Sequence, residues 1–182
     1  MIMHRFIKAR RRKAVTNYKR RIALLKGGLP RIVVRKSNRN VIVQAISYTA
    51  KGDSVIASAD SRELKKLGWP ARANVPTAYL TGLLLAKKGK GSVKGEAVLD
   101  IGLYKPVKSS VIFAGARGAA DGGIKLLNSI EVDSKRLSGG HISEYARLAK
   151  GKGAQFSGYA KEKVDVSKLS DMFESVKKKI LE

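Results

Sequence analysis

The stretch from Arg31 to Asp60, RIVVRKSNRNVIVQAISYTAKGDSVIASAD, decides the fold. It holds three β-branched runs, at 31–36, 41–48 and 54–60, separated by Ser37-Asn38-Arg39-Asn40 and by Ala50-Lys51-Gly52-Asp53. Valine and isoleucine suit a pleated, half-buried surface, and short polar connections of this kind join antiparallel neighbours. The reading is a three-stranded meander.

Downstream, Trp69-Pro70 closes an irregular stretch. Asn74 and Pro76 carry helix-start chemistry, Ala78, Leu80, Leu83, Leu84 and Ala86 follow, and the Gly/Lys cluster from Lys87 to Gly95 stops the helix. Glu96 to Ile101 is an apolar run of strand length, and Ser109 to about Gly123 is an alanine-rich helix. A strand reached across a helical crossover tends to pair in parallel, so the fold class is α/β: a mixed sheet with helices packed against it. Beyond Asn128 the texture changes to a Gly- and Ser-rich loop, a short helix near His141 to Leu148, a basic glycine-containing linker and a last helix from about Lys168. Leu169, Met172, Phe173, Val176 and Ile180 make an amphipathic stripe on that helix, read as docking on the body in preference to a membrane surface.

Upstream, every charge before Asp53 is positive. Residues 13–26 carry Val15, Tyr18, Ile22 and Leu25 at helical spacing, and Gly27-Gly28 with Pro30 supply the stop. The expectation is a helix with one packed face and one basic face. The chain thus divides into a basic arm and helix over 1–29, an α/β body over 30–127 and a C-terminal extension over 128–182.

A chain of 182 residues suits one main domain. Its 38 Lys and Arg against 14 Asp and Glu give a formal charge of +24, which repels itself unless a polyanion neutralises it. With 43% hydrophobic residues the chain folds rather than remaining a basic disordered tail. There is no cysteine, which excludes disulfides, thiolate zinc sites and cysteine nucleophiles. The start lacks the continuous apolar core of a secretion signal, and no segment approaches the roughly 20 apolar residues that span a bilayer. The expectation is a soluble intracellular protein that takes neither a membrane nor a small-molecule substrate.

Nucleic acid is the best polyanion. The sharpest element is Arg35-Lys36-Ser37-Asn38-Arg39-Asn40, which joins phosphate-binding charge to hydroxyl and amide groups able to contact sugar or base. An ordinary polar hairpin turn uses the same residues. Aromatics are 6% and no stacking motif is visible, which favours recognition of folded RNA through backbone and shape. Tyr18 can stack or donate to phosphate, but its helical phase equally fits packing.

A meander followed by alternating helix and strand also describes metal-dependent nucleases. The acids available are Asp53, Asp60, Glu96, Asp100 and Asp121, of which only Asp100 sits inside an apolar strand run. Turn chemistry explains Asp53 and helix capping explains Asp60. His4 lies in the basic arm and His141 stands alone near Glu144, too little for a metal or proton-transfer site. Gly89-Lys90-Gly91 lacks the spacing of a nucleotide loop, so no cofactor is implied and an enzyme is disfavoured.

Several blocks resemble the family of the eighteenth large-subunit ribosomal protein. They are Arg10-Arg11-Arg12-Lys13, Thr16-Asn17-Tyr18, Leu24-Leu25-Lys26, Pro30-Arg31, Arg35-Lys36-Ser37-Asn38, Gly68-Trp69, Tyr79-Leu80-Thr81-Gly82-Leu83, Ala97 to Leu103 and Gly140-His141-Ile142-Ser143-Glu144-Tyr145, in order over roughly 10–145. The resemblance implies a three-layer ribonuclease-H-like mixed sheet without catalysis. It also implies a role anchoring 5S rRNA in the central protuberance, with 5S rRNA, the large-subunit (23S-type) rRNA and the neighbouring fifth large-subunit protein as partners. The segment beyond Leu127 resembles the archaeal and eukaryotic branch, and the chain is too short for the eukaryotic form, which points to the archaeal type. By resemblance the RNA-binding residues are Arg10, Arg11, Arg12, Lys13, Tyr18, Arg21, Lys26, Arg31, Arg35, Lys36, Ser37 and Asn38, with Tyr104 and Lys105 in the loop after the fourth strand. Charge and turn chemistry add Arg20, Arg39 and Asn40.

Overall fold

The structure is a computed structural model that describes residues 12–93, 95–149 and 154–182. The meander is present. Strand β1 (Arg31–Lys36) pairs antiparallel with β2 (Val41–Thr49), from Arg31 opposite Ile46 to Lys36 opposite Val41, and β2 pairs antiparallel with β3 (Gly52–Asp60). β3 begins two residues before its expected start because Gly52, at φ +135°, lets the chain enter the ladder directly from the turn. A register shift between Ala45 and Ile46 kinks this pairing.

Asp60 ends β3 and caps a 3-10 helix (Ser61–Leu67) in a reciprocal box with Glu63. The following Trp69 is 1% exposed, and its indole N–H donates to Thr77 Oγ1 at 2.9 Å. Helix α2 (Val75–Lys88) starts where expected, its Thr77 N–H donating to the Asn74 side chain. Strand β4 (Glu96–Asp100) then runs parallel to β1, with Arg31 opposite Val98 and Val33 opposite Asp100. Helix α3 (Val111–Asp121) leads to a two-residue strand β5 (Lys125–Leu126), parallel to β4 and too short to signal itself in the sequence. The sheet order is β3-β2-β1-β4-β5, the mixed α/β sheet the pattern called for.

One sheet face, built from Ile32, Val34, Val41, Val43, Ala45, Ala59 and Ala97, is buried beneath α2 and α3. The two helices meet backbone to backbone. A Cβ added at Gly82 would stand 2.1 Å from Gly115 O, and one at Gly118 would stand 2.0 Å from Tyr79 O. Glycine is required there by space rather than by dihedral angle.

The C-terminal extension contributes α4 (Ser134–Leu137), α5 (Gly140–Leu148), α6 (Ser157–Lys161) and α7 (Leu169–Leu181). Leu169, Phe173, Val176 and Ile180 of α7 are buried against the body, as the stripe predicts. Phe173 stacks edge-on to Trp69, with centroids 6.2 Å apart, and tilted to Tyr79 at 5.6 Å. Polar ties reinforce the docking: Asn74 donates to Tyr159 Oη at 3.0 Å, and Arg72 pairs with Glu162 at 3.1 Å.

The N-terminal helix departs from expectation. It spans only Tyr18–Lys26 (α1) and buries none of its residues, with Val15 and Ile22 51% and 53% exposed. Two local features set its start. Ala14 takes a left-handed φ of +50°, which interrupts a helix from residue 13, and the Asn17 side chain accepts the Arg20 N–H as a new cap. The apolar face foreseen over 13–26 is therefore broken and does not enter the core.

Candidate nucleic-acid interface

The β1–β2 turn is stiffened from within. Ser37 N–H donates to Asn40 O at 2.9 Å, Ser37 Oγ donates to the same oxygen at 3.1 Å, and Asn40 N–H donates to Ser37 Oγ at 3.0 Å. The Ser37 hydroxyl and the Asn40 backbone thus close the turn. The side chains of Arg35, Lys36, Asn38 and Arg39 stand exposed around it.

Two further segments reach this turn through the loop that follows β4. Tyr104 Oη donates to Lys36 O at 2.9 Å, which fixes the loop beside the turn and leaves Lys105 exposed next to it. At the start of the same loop, Arg20 of α1 donates to Gly102 O at 2.7 Å. Helix, loop and turn are thereby linked, although Tyr104 and Lys36 lie 68 positions apart in sequence. No acid precedes Asp53, and none occurs between Asp100 and Asp121, so all three segments are free of carboxylates. Such an arrangement favours a polyanion through counterion release and offers no like-charge repulsion to phosphate.

Arg12, Lys13 and Lys26 are exposed and Tyr18 is half-buried. Arg10 and Arg11 lie outside the described residues. Lys108, not singled out from the sequence, is a further exposed cation in the loop. Its signal was a cation within the acid-free 101–120 segment.

Arg31 requires a correction, because the structure takes it off the exposed surface. Its side chain is 3% exposed; Nη1 donates to Asp100 at 2.8 Å and Nη2 to Asp53 at 2.9 Å. Sheet geometry explains this: Arg31 on β1 lies on the face that also carries Asp100 on the parallel neighbour, and β3 delivers Asp53 from the other side. Arg21 is intermediate, about one-third exposed, with Nη2 2.8–2.9 Å from both Asp53 oxygens. Burial alone would raise the Asp53 carboxyl, but hydrogen bonds and charge from Arg21 and Arg31 outweigh it and hold its pKa below the ordinary value.

The same contacts remove the nuclease arrangement. Asp100 is committed to Arg31 and to the Gly102 N–H, Asp60 to its cap and to Arg62, and Asp121 to Tyr79 and Arg117. Among the described residues no group of three or more His, Cys, Asp or Glu side chains is placed to hold a metal ion. Glu144 pairs with Lys135, apart from any such site. No helix among the described residues is long and apolar enough to cross a membrane.

A family model described as "Ribosomal large subunit proteins 60S L5, and 50S L18" matches residues 4–96. The large ribosomal subunit protein uL18 of Thermofilum pendens is 45% identical over 181 residues, covering 95% of this chain and 92% of that relative. The uL18 protein of Korarchaeum cryptofilum is 44% identical over 177 residues, covering 94% and 91%. Both relatives are archaeal, and the likeness runs through the C-terminal extension as well as the basic half. With this extent of identity, the chain belongs to the uL18 family of large ribosomal subunit proteins, structural components of the ribosome rather than enzymes.

Proposed function

We propose that the chain binds 5S rRNA and attaches it to the large-subunit rRNA, forming part of the central protuberance beside the neighbouring ribosomal protein uL5, in the cytoplasm. The observation that carries this reading is the linked cationic surface made by three segments that contain no carboxylate of their own, α1, the loop from Gly102 to Lys105 and the turn from Arg35 to Arg39. Cations supply affinity for phosphate, and a turn closed by three internal hydrogen bonds between Ser37 and the Asn40 backbone keeps Lys36, Asn38 and Arg39 in fixed relation to one another. The basic segment over 1–29 and the body over 30–127 carry the RNA contacts in this reading, and the extension over 128–182 is anchored on the body.

The test is a filter-binding titration of the full chain against 5S rRNA across a salt series. The expectation is a steep fall of log affinity with log salt, and a loss of about 1–3 kcal/mol for Arg35→Ala, Lys36→Ala or Asn38→Ala. Equal affinity for an unrelated duplex DNA at physiological salt would overturn the proposal.

A further inference from the structure

Helix α1 carries its cations without a buried foothold, so what holds it to the body sets how those cations are displayed. Leu24 and Leu25 are half-buried, and Leu24 lines a cavity together with Leu99, Ile101 and Phe113. Two arginines tie it to the body. Arg20 donates to Gly102 O at 2.7 Å, and Arg21 grips both oxygens of Asp53 at 2.8 and 2.9 Å.

These ties converge on one buried group. Arg31 holds Asp53 through Nη2 and Asp100 through Nη1, and Asp100 in turn accepts the Gly102 N–H at 2.9 Å. From α1 the path runs through Arg21, Asp53, Arg31, Asp100 and Gly102, and returns to α1 at Arg20. It is a closed ring of charge-assisted contacts with the guanidinium of a 3%-exposed arginine at its far side. Asp53 is the one carboxylate in that ring that touches both Arg31 and a side chain of the helix, and it is also the first acid in the sequence.

We propose that Asp53, seated by Arg31, is a positioning residue that fixes α1 on the body in the orientation from which Lys19, Arg20 and Lys26 meet RNA. The role rests on the RNA-binding reading above. It makes an unusual demand on an acid in a protein of charge +24: a carboxylate strengthens binding to a polyanion. Electrostatics alone predicts the reverse, because removing an acid raises net positive charge and tightens non-specific association.

The experiment compares full-length wild type with Asp53→Asn and Asp53→Glu by amide hydrogen exchange and by 5S rRNA binding at fixed salt. For Asp53→Asn, exchange over residues 18–26 rises about tenfold while exchange over α2 is unchanged, since only a local attachment is lost. Its affinity for 5S rRNA falls roughly fivefold to tenfold despite the added net charge, and Asp53→Glu, which keeps the carboxylate, recovers at least half of both losses. Unchanged exchange over 18–26, or RNA binding by Asp53→Asn as tight as wild type or tighter, would overturn the role. If wild type itself fails to bind 5S rRNA, the proposed function falls, and the exchange result alone upholds or overturns Asp53 as the anchor of α1.

Discussion

Replacing Arg31 by methionine asks whether this cation serves the fold or the ligand. Methionine keeps an unbranched stem of similar length but removes two charge-assisted hydrogen bonds, of 2.8 Å to Asp100 and 2.9 Å to Asp53. Breaking a buried pair by deleting one partner costs about 3–5 kcal/mol, because the remaining charge is left without compensation. Here Asp100 is 15% exposed and keeps the Gly102 N–H, while Asp53 is 30% exposed and keeps Arg21, so the lower end applies, about 3 kcal/mol. At a urea dependence of about 2 kcal/mol/M the unfolding midpoint falls by about 1.5 M. The single tryptophan, Trp69, is 1% exposed, so its fluorescence reports the transition directly. Arg35→Ala is the control: its side chain is exposed, and its stability stays within about 0.5 kcal/mol of wild type. If Arg31→Met unfolds at the wild-type midpoint, the guanidinium is not committed to the two carboxylates, and the argument that removed it from the RNA surface fails.

Three other outcomes follow from the same geometry. Gly118→Ala gains about 1 kcal/mol of helix propensity but drives a Cβ to 2.0 Å from Tyr79 O; overpacking of about 3 kcal/mol wins, and a urea midpoint above wild type would refute the close α2–α3 contact. Phe173→Ala empties the space between Trp69 and Tyr79 and costs about 3–5 kcal/mol in the same measurement, whereas an unchanged midpoint would mean that α7 is not docked. Stability also falls in acid. The Asp60 carboxyl is held low by the Arg62 hydrogen bond, and those of Asp53 and Glu63 are held low because arginine or lysine partners outweigh the opposing effect of burial. A depressed folded value means that the contribution is complete above the ordinary values of 3.8 and 4.5 and is lost as pH falls through the lower folded ones. Thermal midpoints measured from pH 6 down to 3 should drop in the acid half of that range, and a flat profile would contradict these pairings.

The meander and α2 were legible because their signals are local: β-branched runs cut by polar turns, and Asn74 with Pro76 at a helix start. The α7 stripe was legible for the same reason, though its partners, Trp69 and Tyr79, were not. Arg31 entered the RNA-binding set by resemblance, and nothing local announces its burial, because its partners Asp53 and Asp100 lie 22 and 69 positions away. Spacing of Val15, Tyr18, Ile22 and Leu25 implied a packed helix, but periodicity carries no information about Ala14 at φ +50° or the cap at Asn17. The joining of turn, loop and helix rests on Tyr104 to Lys36 and Arg20 to Gly102, contacts between distant segments that no local pattern announces.

The ring around Arg31 also bears on the order in which the molecule is assembled. Arg31 belongs to β1, Asp53 to β3 and Asp100 to β4, so the seat for α1 exists only once three strands are in register. Contacts this distant in sequence close late, after the local hairpins and helices have formed. A sheet paired out of register leaves the ring beneath α1 incomplete. Display of the basic helix thereby becomes a readout of correct folding elsewhere in the protein.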